Sequence, residues 1–499
     1  MTVEHVDVLV VGAGISGIDA GYHLQKDCPR KSYAILEARN DLGGTWDLFR
    51  YPGIRSDSDM YTFGFKWRPW PNPKSISDGE SIMAYLRDAA REHGIDRRIR
   101  FGHRVRRAAW SSQDARWSVD LERGPSREPV RMTCNFLLMC TGYYNYEHGY
   151  TPDFPGADRF RGRVVHPQQW TGDIDYAGKQ VVIVGSGATA VTLVPELAKQ
   201  AAHVTMLQRS PTYMVSRPSE DPVANKLRRF LPMRAVHAIV RWKNVLMGRW
   251  FFGVCRTKPE KAKAELLKMV RAELPPDYDV ATHFTPRYNP WEQRLCLVPD
   301  SDYFQAIKSG RASVVTDHVE TFTESGIRLR SGKEVPADLI VTATGLDLKF
   351  LSNLEVSIDG ARRDLTKSLP YKGMMASDVP NLAWVFGYTN ASWTLRADLV
   401  TEWVCRVLNH MDKVGARQVM PRLDDPGIER VPPFDFSSGY FQRAMDRFPQ
   451  QGSKAPWKAE QNYLTDIKLM RRAPIDDGVL QFSAPATAAR VREAEAVTG

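Results

Sequence analysis

The sequence predicts an α/β fold with two Rossmann-like dinucleotide-binding domains and a helical insertion. Three observations lead to this prediction. Two glycine-rich motifs each stand between an apolar, strand-forming run and a helix-forming segment. An acidic residue follows the first motif, whereas an arginine follows the second. A basic, helix-forming segment lies downstream of the second motif. The 499 residues are enough for two or three domains.

The first motif, VDVLVVGAGISG, contains the pattern Gly12-x-Gly14-x-x-Gly17. A strand, a tight turn and a helix N-terminus together form a site for a pyrophosphate. Gly12 permits the turn, Gly14 lets backbone amides approach the phosphates, and Gly17 lets the helix pack closely on the strand. Glu37 ends the next strand-forming run, where a carboxylate can bind ribose hydroxyls. The pair of signals favours a dinucleotide site over a purely structural turn.

The second motif, KQVVIVGSGATA, has the pattern Gly185-x-Gly187-x-x-Ala190. The next strand-forming run, HVTMLQRSPTY, carries Arg209 in the region where the first unit has Glu37. A guanidinium forms charge-assisted hydrogen bonds with a 2′-phosphate, which a ribose hydroxyl does not require. The second site is therefore predicted to bind NADP rather than NAD, unless Arg209 is an ordinary surface arginine.

Two different dinucleotides on one chain indicate a flavoprotein that takes hydride from NADPH and holds FAD at the first site. The runs FLLMCTG and ADLIVTATG end at Thr141-Gly142 and Thr344-Gly345, which we interpret as crossings between the two domains. We predict an FAD-binding domain in residues 1–145 and 345–499. The NADP-binding domain is predicted in residues 146–214 and 293–344, with a helical subdomain in residues 215–292. A polar tail is expected after about residue 485.

The positive charge of the chain is concentrated in one segment. The formal net charge is +10, and residues 226–271 carry 13 Lys or Arg and 2 Glu, a net charge of +11. The same segment contains Trp242, Trp250, Phe251 and Phe252. Two interpretations stay open, a solvated helical face beside an anionic cofactor and attraction to an acidic membrane surface or a partner. Nucleic-acid binding is not expected, because no familiar nucleic-acid motif accompanies the charge.

No targeting or membrane-spanning segment is predicted. The N-terminus runs at once into a strand-forming segment, and no stretch of about 18 uncharged apolar residues occurs. We expect a cytoplasmic protein, at most peripheral at the membrane. The six cysteines have neither CxxC nor metal-ligand spacing, so free buried thiols and no metal site are expected. They are Cys28, Cys134, Cys140, Cys255, Cys296 and Cys405.

The stretch FRGRVVHPQQWTG lies between the first crossing and the second motif. It contains Phe160, Gly162, His166 and Trp170, and no catalytic chemistry requires these residue types at these intervals. The stretch resembles the fingerprint that joins the two domains of type I Baeyer-Villiger monooxygenases, a subset of the class B flavoprotein monooxygenases. It departs from the family pattern at Thr171, where the family has Pro or Asp.

A second stretch, GGTWDLFRYPGIRSD, resembles the longer signature of the same family. The matching positions are Gly43, Gly44, Trp46, Tyr51, Pro52, Gly53 and Asp57. The resemblance extends over nearly the whole chain. It implies that Gly44, Trp46 and Asp57 belong to the cofactor site. It also implies that Arg294 in EQRLC is the active-site arginine, with Asp57 as its partner, and that His166 supports domain closure rather than proton transfer.

The resemblance further implies how the NADP phosphate is recognised. One family position beside the arginine is often Lys and contacts the phosphate, whereas this chain has Gln293. More of the recognition then rests on Arg209, with Ser210 and Thr212 near it.

The activity that the resemblance implies is a monooxygenation. NADPH reduces FAD, dioxygen adds to the flavin, and the resulting C4a-peroxyflavin converts ketones to esters or lactones. Oxygenation of sulfur in sulfides and thioamides is implied as well. Arg294 would supply a fixed positive charge beside the developing anion, and Asp57 would orient it. An ordinary ion pair without catalytic meaning is the alternative for these two residues.

Three other functions stay open. A flavin-containing monooxygenase can oxygenate nitrogen or sulfur without ketone chemistry, although that class usually has an aromatic residue other than Trp at the end of the fingerprint. An NADPH:disulfide reductase would need a redox CxxC near the flavin. A non-catalytic flavin- or NADP-binding scaffold on a membrane would be recognised by the lack of NADPH consumption with substrate. Pocket shape rather than any motif decides the natural substrate, and no motif specifies an oligomeric state.

Overall fold

The computed structural model describes residues 3–484, and the predicted polar tail lies outside these residues. The α-helices are α1 Ile15–Asp27, α2 Thr45–Leu48, α3 Met60–Phe63, α4 Gly79–Glu92, α5 Ala188–Leu197, α6 Pro222–Leu227, α7 Met233–Thr257, α8 Pro259–Glu273, α9 Val280–Phe284, α10 Asp302–Lys308, α11 Trp393–Val414, α12 Gly439–Gln442 and α13 Tyr463–Ile467. The first strands are β1 Glu4–Val11, β2 Tyr33–Leu36, β3 Ile99–Arg100, β4 His103–Ser111, β5 Arg116–Arg123, β6 Glu128–Met139, β7 Arg163–Val165, β8 Gln180–Val184, β9 His203–Gln208, β10 Met214–Arg217, β11 Cys296–Pro299 and β12 Ala312–Thr316. The remaining strands are β13 Val319–Thr323, β14 Gly326–Leu329, β15 Glu334–Pro336, β16 Leu339–Thr342, β17 Glu355–Ile358, β18 Ala361–Arg363, β19 Pro370–Tyr371, β20 Met375–Ala376, β21 Leu382–Trp384, β22 Gln418–Pro421, β23 Arg430–Val431, β24 Gln451–Gly452 and β25 Leu480–Ser483.

The larger sheet has eleven strands and forms around the first glycine-rich motif. Strand β1 lies between the parallel neighbours β2 and β6. The last four residues of β1 are all buried, as expected for a strand that is covered on both faces. Helix α1 packs against α11. The chain returns to this sheet through β17 to β21, so segments from both ends of the chain build it.

The smaller sheet has five parallel strands in the order β12, β9, β8, β16, β7. Helix α5 connects β8 to β9, which makes a βαβ unit around the second glycine-rich motif. The two sheets confirm the predicted α/β class with two Rossmann-like units. The domain boundaries within the chain stay a prediction.

The chain passes between the two sheets at two adjacent places, after β6 and after β16. The amide of Asn145 donates to the carbonyl of Asp347 at 2.9 Å, and the amide of Lys349 donates to the carbonyl of Tyr143 at 2.9 Å. The two passages are therefore paired side by side. We call residues 143–150 with 345–349 the crossing seam.

The basic segment is helical, and it belongs to a group of helices that contact both parts of the molecule, since α9 packs against β12 of the smaller sheet. Helices α6 to α9 lie between β10 and β11, and α7 contacts α3. The buried guanidinium of Arg241 on α7 donates to the carbonyls of Tyr61, Thr62 and Gly64 at 2.9, 3.3 and 2.9 Å. These carbonyls end helix α3 and need donors from outside it, so Arg241 has a structural role. Among the described helices, none is long and apolar enough to cross a membrane.

Candidate active site

The first glycine-rich loop is closed by backbone contacts that leave no room for side chains. Gly12 has a φ of 105°, and a Cβ there would lie 2.5 Å from the carbonyl oxygen of Cys140. A Cβ on Gly17 would lie 1.9 Å from the carbonyl oxygen of Gly12. Gly14 is the N-cap residue of α1 and has no side chain to bond the first amides of the helix. These amides are available to an anionic ligand.

Glu37 lies directly against this loop and is only 4% exposed. Its carboxylate accepts hydrogen bonds from the amides of Ala13 and Arg39, both at 2.9 Å. Burial raises the pKa of Glu37, and the two amide bonds oppose that shift. Each carboxylate oxygen has further acceptor capacity, so hydroxyl groups of a ribose fit beside it.

A cavity of about 450 Å³ extends from the glycine loop and Glu37. This volume lies in the range of cofactor sites. The turn at Gly44 lies directly against the first glycine-rich loop, since a Cβ on Gly44 would lie 3.1 Å from the Cα of Gly14. The structure therefore gathers most of the predicted FAD-site residues around one cavity, whose lining includes Gly12, Gly14, Glu37, Gly44, Trp46, Asp57 and Arg294. The shape and the donor set fit a dinucleotide.

Arg294 and Asp57 form a two-point ion pair, although 237 residues separate them. Arg294 Nε lies 2.8 Å from Asp57 Oδ2, and its terminal NH2 group donates to Oδ1 at 3.1 Å. The side chains are 32% and 36% exposed, and both line two neighbouring cavities. The charge of Asp57 raises the pKa of Arg294 above its ordinary value, so the guanidinium stays charged at any working pH.

Tyrosines surround this ion pair, and sequence reasoning missed them. Burial raises the pKa of Tyr143, Tyr144 and Tyr440, so their hydroxyls stay protonated. Tyr143 stacks on Trp393 at 5.3 Å between ring centroids, and Trp393 donates to Ser16 Oγ on α1 at 2.8 Å. The run TGYYNY, shortly after β6, is the signal that points to Tyr143 and Tyr144.

A second cavity of about 540 Å³ lies on the other side of the ion pair. Helix α7 forms one wall, and residues around 390–395 and 460–464 form another. Its lining combines polar and charged side chains, among them Lys243, Arg249 and Glu460, with an apolar group that consists of Val245, Met247, Phe251, Phe252, Trp291 and Leu295. Phe251 and Phe252 of the basic segment thus face a cavity, whereas Trp242 and Trp250 are exposed. Arg294 and Asp57 stand where the two cavities meet.

The second glycine-rich loop is more open than the first. Gly185 has a φ of 139°, and a Cβ there would lie 2.2 Å from the carbonyl oxygen of Ala343. A Cβ on Gly187 would meet no atom within 4 Å. Ala190 is fully buried at the position where the first unit has Gly17. A phosphate can therefore approach the backbone at Gly187.

The side chains of the residues that follow β9, Arg209, Ser210 and Thr212, do not all point towards the same site. Arg209 is exposed, and the carbonyl of the next residue, Ser210, accepts a hydrogen bond from Ser186 Oγ at 2.9 Å. Thr212 is buried, and its hydroxyl accepts from the hydroxyl of Tyr288 at 3.2 Å. The structure thus leaves Arg209 free to meet a ligand and turns Thr212 inward.

Arg443 lies near Arg209 and was not predicted from the sequence. Burial lowers the pKa of Arg443, and the neighbouring charge of Arg209 contributes in the same direction. The guanidinium of Arg443 lies 3.5 Å from the ring centre of Tyr150. Two arginines therefore stand near the crossing seam, close to the second glycine-rich loop.

The fingerprint residues hold the linker between the sheets. Phe160 and Trp170 are buried, and a Cβ on Gly162 would lie 2.4 Å from the carbonyl oxygen of Asp338. His166 Nδ1 accepts from the amide of Gln168 at 3.1 Å, so Nε2 carries the proton and donates to the carbonyl of Gly345 at 3.1 Å. Burial lowers the pKa of His166 and keeps it neutral. This histidine ties the linker to the crossing seam.

The six cysteines are free and buried, as predicted. Asp19, His23 and Asp398 form a buried group with metal-type spacing. The carboxylate oxygens of Asp19 and Asp398 already accept hydrogen bonds within the protein. We therefore interpret the group as an internal ion network between α1 and α11 rather than as a metal site. The donors are Trp67 and Thr401 to Asp19, and His23 and Arg471 to Asp398.

Comparisons with known proteins agree with this geometry. A family model described as flavin-binding monooxygenase-like matches residues 5–243. The FAD-containing monooxygenase EthA of Mycobacterium tuberculosis is 53% identical over 481 residues, which are 96% of this chain and 98% of that protein. A steroid monooxygenase bound to NADP has a TM-score of 0.76 at 22% identity, with 96% of this chain and 99% of that chain covered. A cyclohexanone monooxygenase with bound ε-caprolactone has a TM-score of 0.73 at 19% identity, with 96% and 100% covered.

Proposed function

The chain belongs to the class B flavoprotein monooxygenases, as its fingerprint and longer signature predicted, and we propose that it is a Baeyer-Villiger monooxygenase. It is a flavin-dependent monooxygenase whose cofactors are FAD and NADP and whose substrates are dioxygen and a small molecule. The proposed reaction converts a ketone to an ester or a lactone and consumes NADPH. The same site is proposed to oxygenate sulfur in sulfides and thioamides.

The observation that carries this proposal is the position of the Arg294–Asp57 pair. The pair lines both a cavity that fits a dinucleotide and a second cavity, whose group of apolar side chains fits an organic substrate. When bound, FAD and NADPH supply the electrons that activate dioxygen for insertion. Arg294 holds a permanent positive charge where negative charge develops on oxygen, and Asp57 orients that charge through two contacts.

The coenzyme preference is proposed to be NADPH over NADH. Exposed Arg209 follows β9, as expected for a ligand of a 2′-phosphate, and Arg443 adds a second positive charge nearby. The open backbone at Gly187 supports close approach of the pyrophosphate.

The protein is also proposed to be cytoplasmic and to associate peripherally with acidic membrane surfaces through residues 226–271. The net charge of +11 in this segment and the exposure of Trp242 and Trp250 support this association.

Replacing Arg294 with Ala separates oxygen insertion from flavin reduction. Ester formation from a simple methyl ketone should fall at least ~10²-fold, while reduction by NADPH stays within roughly tenfold, because no charge develops beside the guanidinium during hydride transfer. The remaining NADPH oxidation should then yield hydrogen peroxide. Anaerobic stopped-flow reduction and gas chromatography of the products measure the two steps. Arg294→Lys, which keeps the charge but loses the two-point contact, and Asp57→Ala should show intermediate losses.

Arg68→Ala is the matched control, because it removes another two-point ion pair, with Glu92 at 2.7 and 2.6 Å. This variant should form ester at the wild-type rate. Near-normal ester formation by Arg294→Ala would reject the assigned role. A wild-type enzyme that oxygenates sulfides but no ketone would identify a flavin-containing monooxygenase without Baeyer-Villiger chemistry.

A further inference from the structure

Arg294 follows directly on a strained turn. Trp291 has a φ of 66°, a left-handed conformation that is unfavourable for a bulky residue. The amide of Glu292 donates to the carbonyl of Asn289 at 3.1 Å, and the carboxylate of Glu292 accepts from the amide and the side chain of Asn289, both at 3.0 Å. We call residues 289–294 the Arg294 turn. A strained backbone of this kind persists only where the surrounding structure holds it.

The Arg294 turn has few anchors of its own. Among the described residues, the guanidinium of Arg294 forms hydrogen bonds with Asp57 alone, and the indole N–H of Trp291 has no acceptor. The amide of Cys296, where β11 begins, donates to the carbonyl of Tyr213 at 2.8 Å. This last bond fixes the chain after the turn. The backbone of the turn itself needs support from another part of the chain.

That support comes from Ser437, which is far away in sequence. Its amide and its hydroxyl both donate to the carbonyl of Glu292, at 2.8 and 3.0 Å. Glu292 directly follows strained Trp291 and precedes Arg294 by two residues. The turn is thus held at two points, at its backbone by the serine and at the guanidinium by Asp57.

The serine belongs to residues 434–448, which we call the C-terminal clasp. The clasp packs on the crossing seam, because Phe441 is buried in an apolar cluster with Leu348. The guanidinium of Arg447 also donates to the carboxylate of Asp347 at 2.8 Å. Since the clasp is anchored on the seam, its serine is a fixed point for the Arg294 turn.

We propose that Ser437 is a positioning residue for oxygen insertion, because it holds the backbone that carries Arg294. It lines neither of the two cavities and acts through the carbonyl of Glu292. A misplacement of a catalytic group by about 1 Å lowers a rate by up to about 10²-fold. The effect on oxygen insertion rests on the role of Arg294 in the proposed function, whereas the support of the turn does not.

Amide hydrogen exchange of the full-length holoenzyme tests the support. Ser437→Ala removes the hydroxyl donor and keeps the amide. Exchange in residues 289–296 should become about fivefold faster, because one hydrogen bond of this type contributes roughly that factor to local stability. Exchange around Asp57 should not change. Ser437→Thr keeps both donors and should exchange like the wild type.

Product analysis with a simple methyl ketone tests the positioning. Ser437→Ala should form ester about fivefold more slowly and release more hydrogen peroxide per NADPH, whereas anaerobic flavin reduction stays within about twofold. Ser437→Thr should restore ester formation. A contact that only stabilises the fold would lower the melting temperature and leave the ratio of ester to hydrogen peroxide unchanged.

Ser309→Ala is the matched control, because the hydroxyl of Ser309 also donates to a backbone carbonyl, that of Ala306 at the end of α10, at 2.9 Å. It should resemble the wild type in exchange and in products. Unchanged exchange in residues 289–296 of Ser437→Ala, or an unchanged ratio of ester to hydrogen peroxide, overturns the positioning role. Faster exchange in this variant together with near-normal ester formation by Arg294→Ala overturns the role of Arg294 and leaves the support of the turn in place.

Discussion

The two glycine-rich units share a βαβ topology, but their loops differ in packing and in exposure to solvent. In the first unit, Gly17 packs on the backbone of Gly12 so closely that no Cβ fits, and buried Glu37 accepts a hydrogen bond from the loop amide of Ala13. In the second unit, Ala190 takes the position of Gly17, and the position after β9 is an exposed arginine, Arg209. One unit is a compact, buried cradle, and the other is open to solvent.

This difference matches the tasks that the two units are expected to have. A resident flavin benefits from a cradle that is rigid and shielded from water, because the bound state then needs little reordering. A coenzyme that must exchange in every turnover benefits from an open loop and from an exposed cation that it meets first. Changes at the first unit should therefore affect flavin retention and stability, whereas changes at the second should affect coenzyme affinity.

The largest effect within this comparison is expected for Arg209→Ala. A single charge-assisted contact contributes about 1.5 to 3 kcal/mol, so the apparent KM for NADPH should rise roughly 10- to 100-fold. The KM for NADH should change little, because NADH lacks the 2′-phosphate. Steady-state kinetics with both coenzymes measure the ratio. Arg107→Ala, at another exposed arginine, is the control, and equal losses with both coenzymes would remove Arg209 from the phosphate site.

The next largest effect is expected at the third position of each glycine-rich motif, which is Gly17 in the first and Ala190 in the second. Gly17→Ala forces a Cβ against the Gly12 carbonyl and should lower the free energy of unfolding by about 1 to 3 kcal/mol or more, with release of flavin. Ala190→Gly should lower it by only about 1 kcal/mol, through helix propensity, and should retain the flavin. Thermal unfolding followed by flavin fluorescence compares the two. A flavin-free Ala190→Gly protein, or a Gly17→Ala protein as stable as the wild type, would contradict the contrast.

The smallest effect is expected at His166, which joins the linker to the crossing seam between the units. Burial lowers its pKa in the folded state, whereas an unfolded histidine binds a proton near pH 6.5. Since the unfolded chain then binds more protons, the free energy of unfolding should fall as the pH drops below about 6.5. Protonation would also remove the acceptor for the amide of Gln168, a hydrogen bond worth about 1 kcal/mol.

Melting temperatures between pH 5 and 7.5 measure this dependence for the wild type and for His166→Gln. The variant should melt lower than the wild type at neutral pH and show a flatter pH profile. Identical profiles in both proteins would assign the acid sensitivity to other groups.

The sequence by itself determined the features that arise from neighbouring residues. A β-branched run followed by glycines predicts a strand and a turn with positive φ, because only glycine adopts that backbone without strain. Between Gly17 and Glu37 the chain runs only through α1 and the adjacent parallel strand β2. This short connection brings the carboxylate back to the glycine-rich loop. The α/β class and both dinucleotide motifs followed from such short-range patterns. The Arg294–Asp57 pair was available only through family resemblance, since no local pattern joins residues so far apart.

The tertiary structure alone decided which side chains meet across long stretches of chain. It turned Thr212 inward to Tyr288, brought Arg443 near Arg209, and enclosed the second cavity between α7 and the C-terminal part of the chain. It also divided the Phe and Trp residues of the basic segment into two that line a cavity, Phe251 and Phe252, and three that face solvent, Phe230, Trp242 and Trp250. The net charge and composition of a segment do not tell which face of its helix is buried, because burial depends on what packs against each face. That packing is a property of the whole fold, and for this reason only the structure distinguishes the side chains of α7 that line the second cavity from those that face solvent.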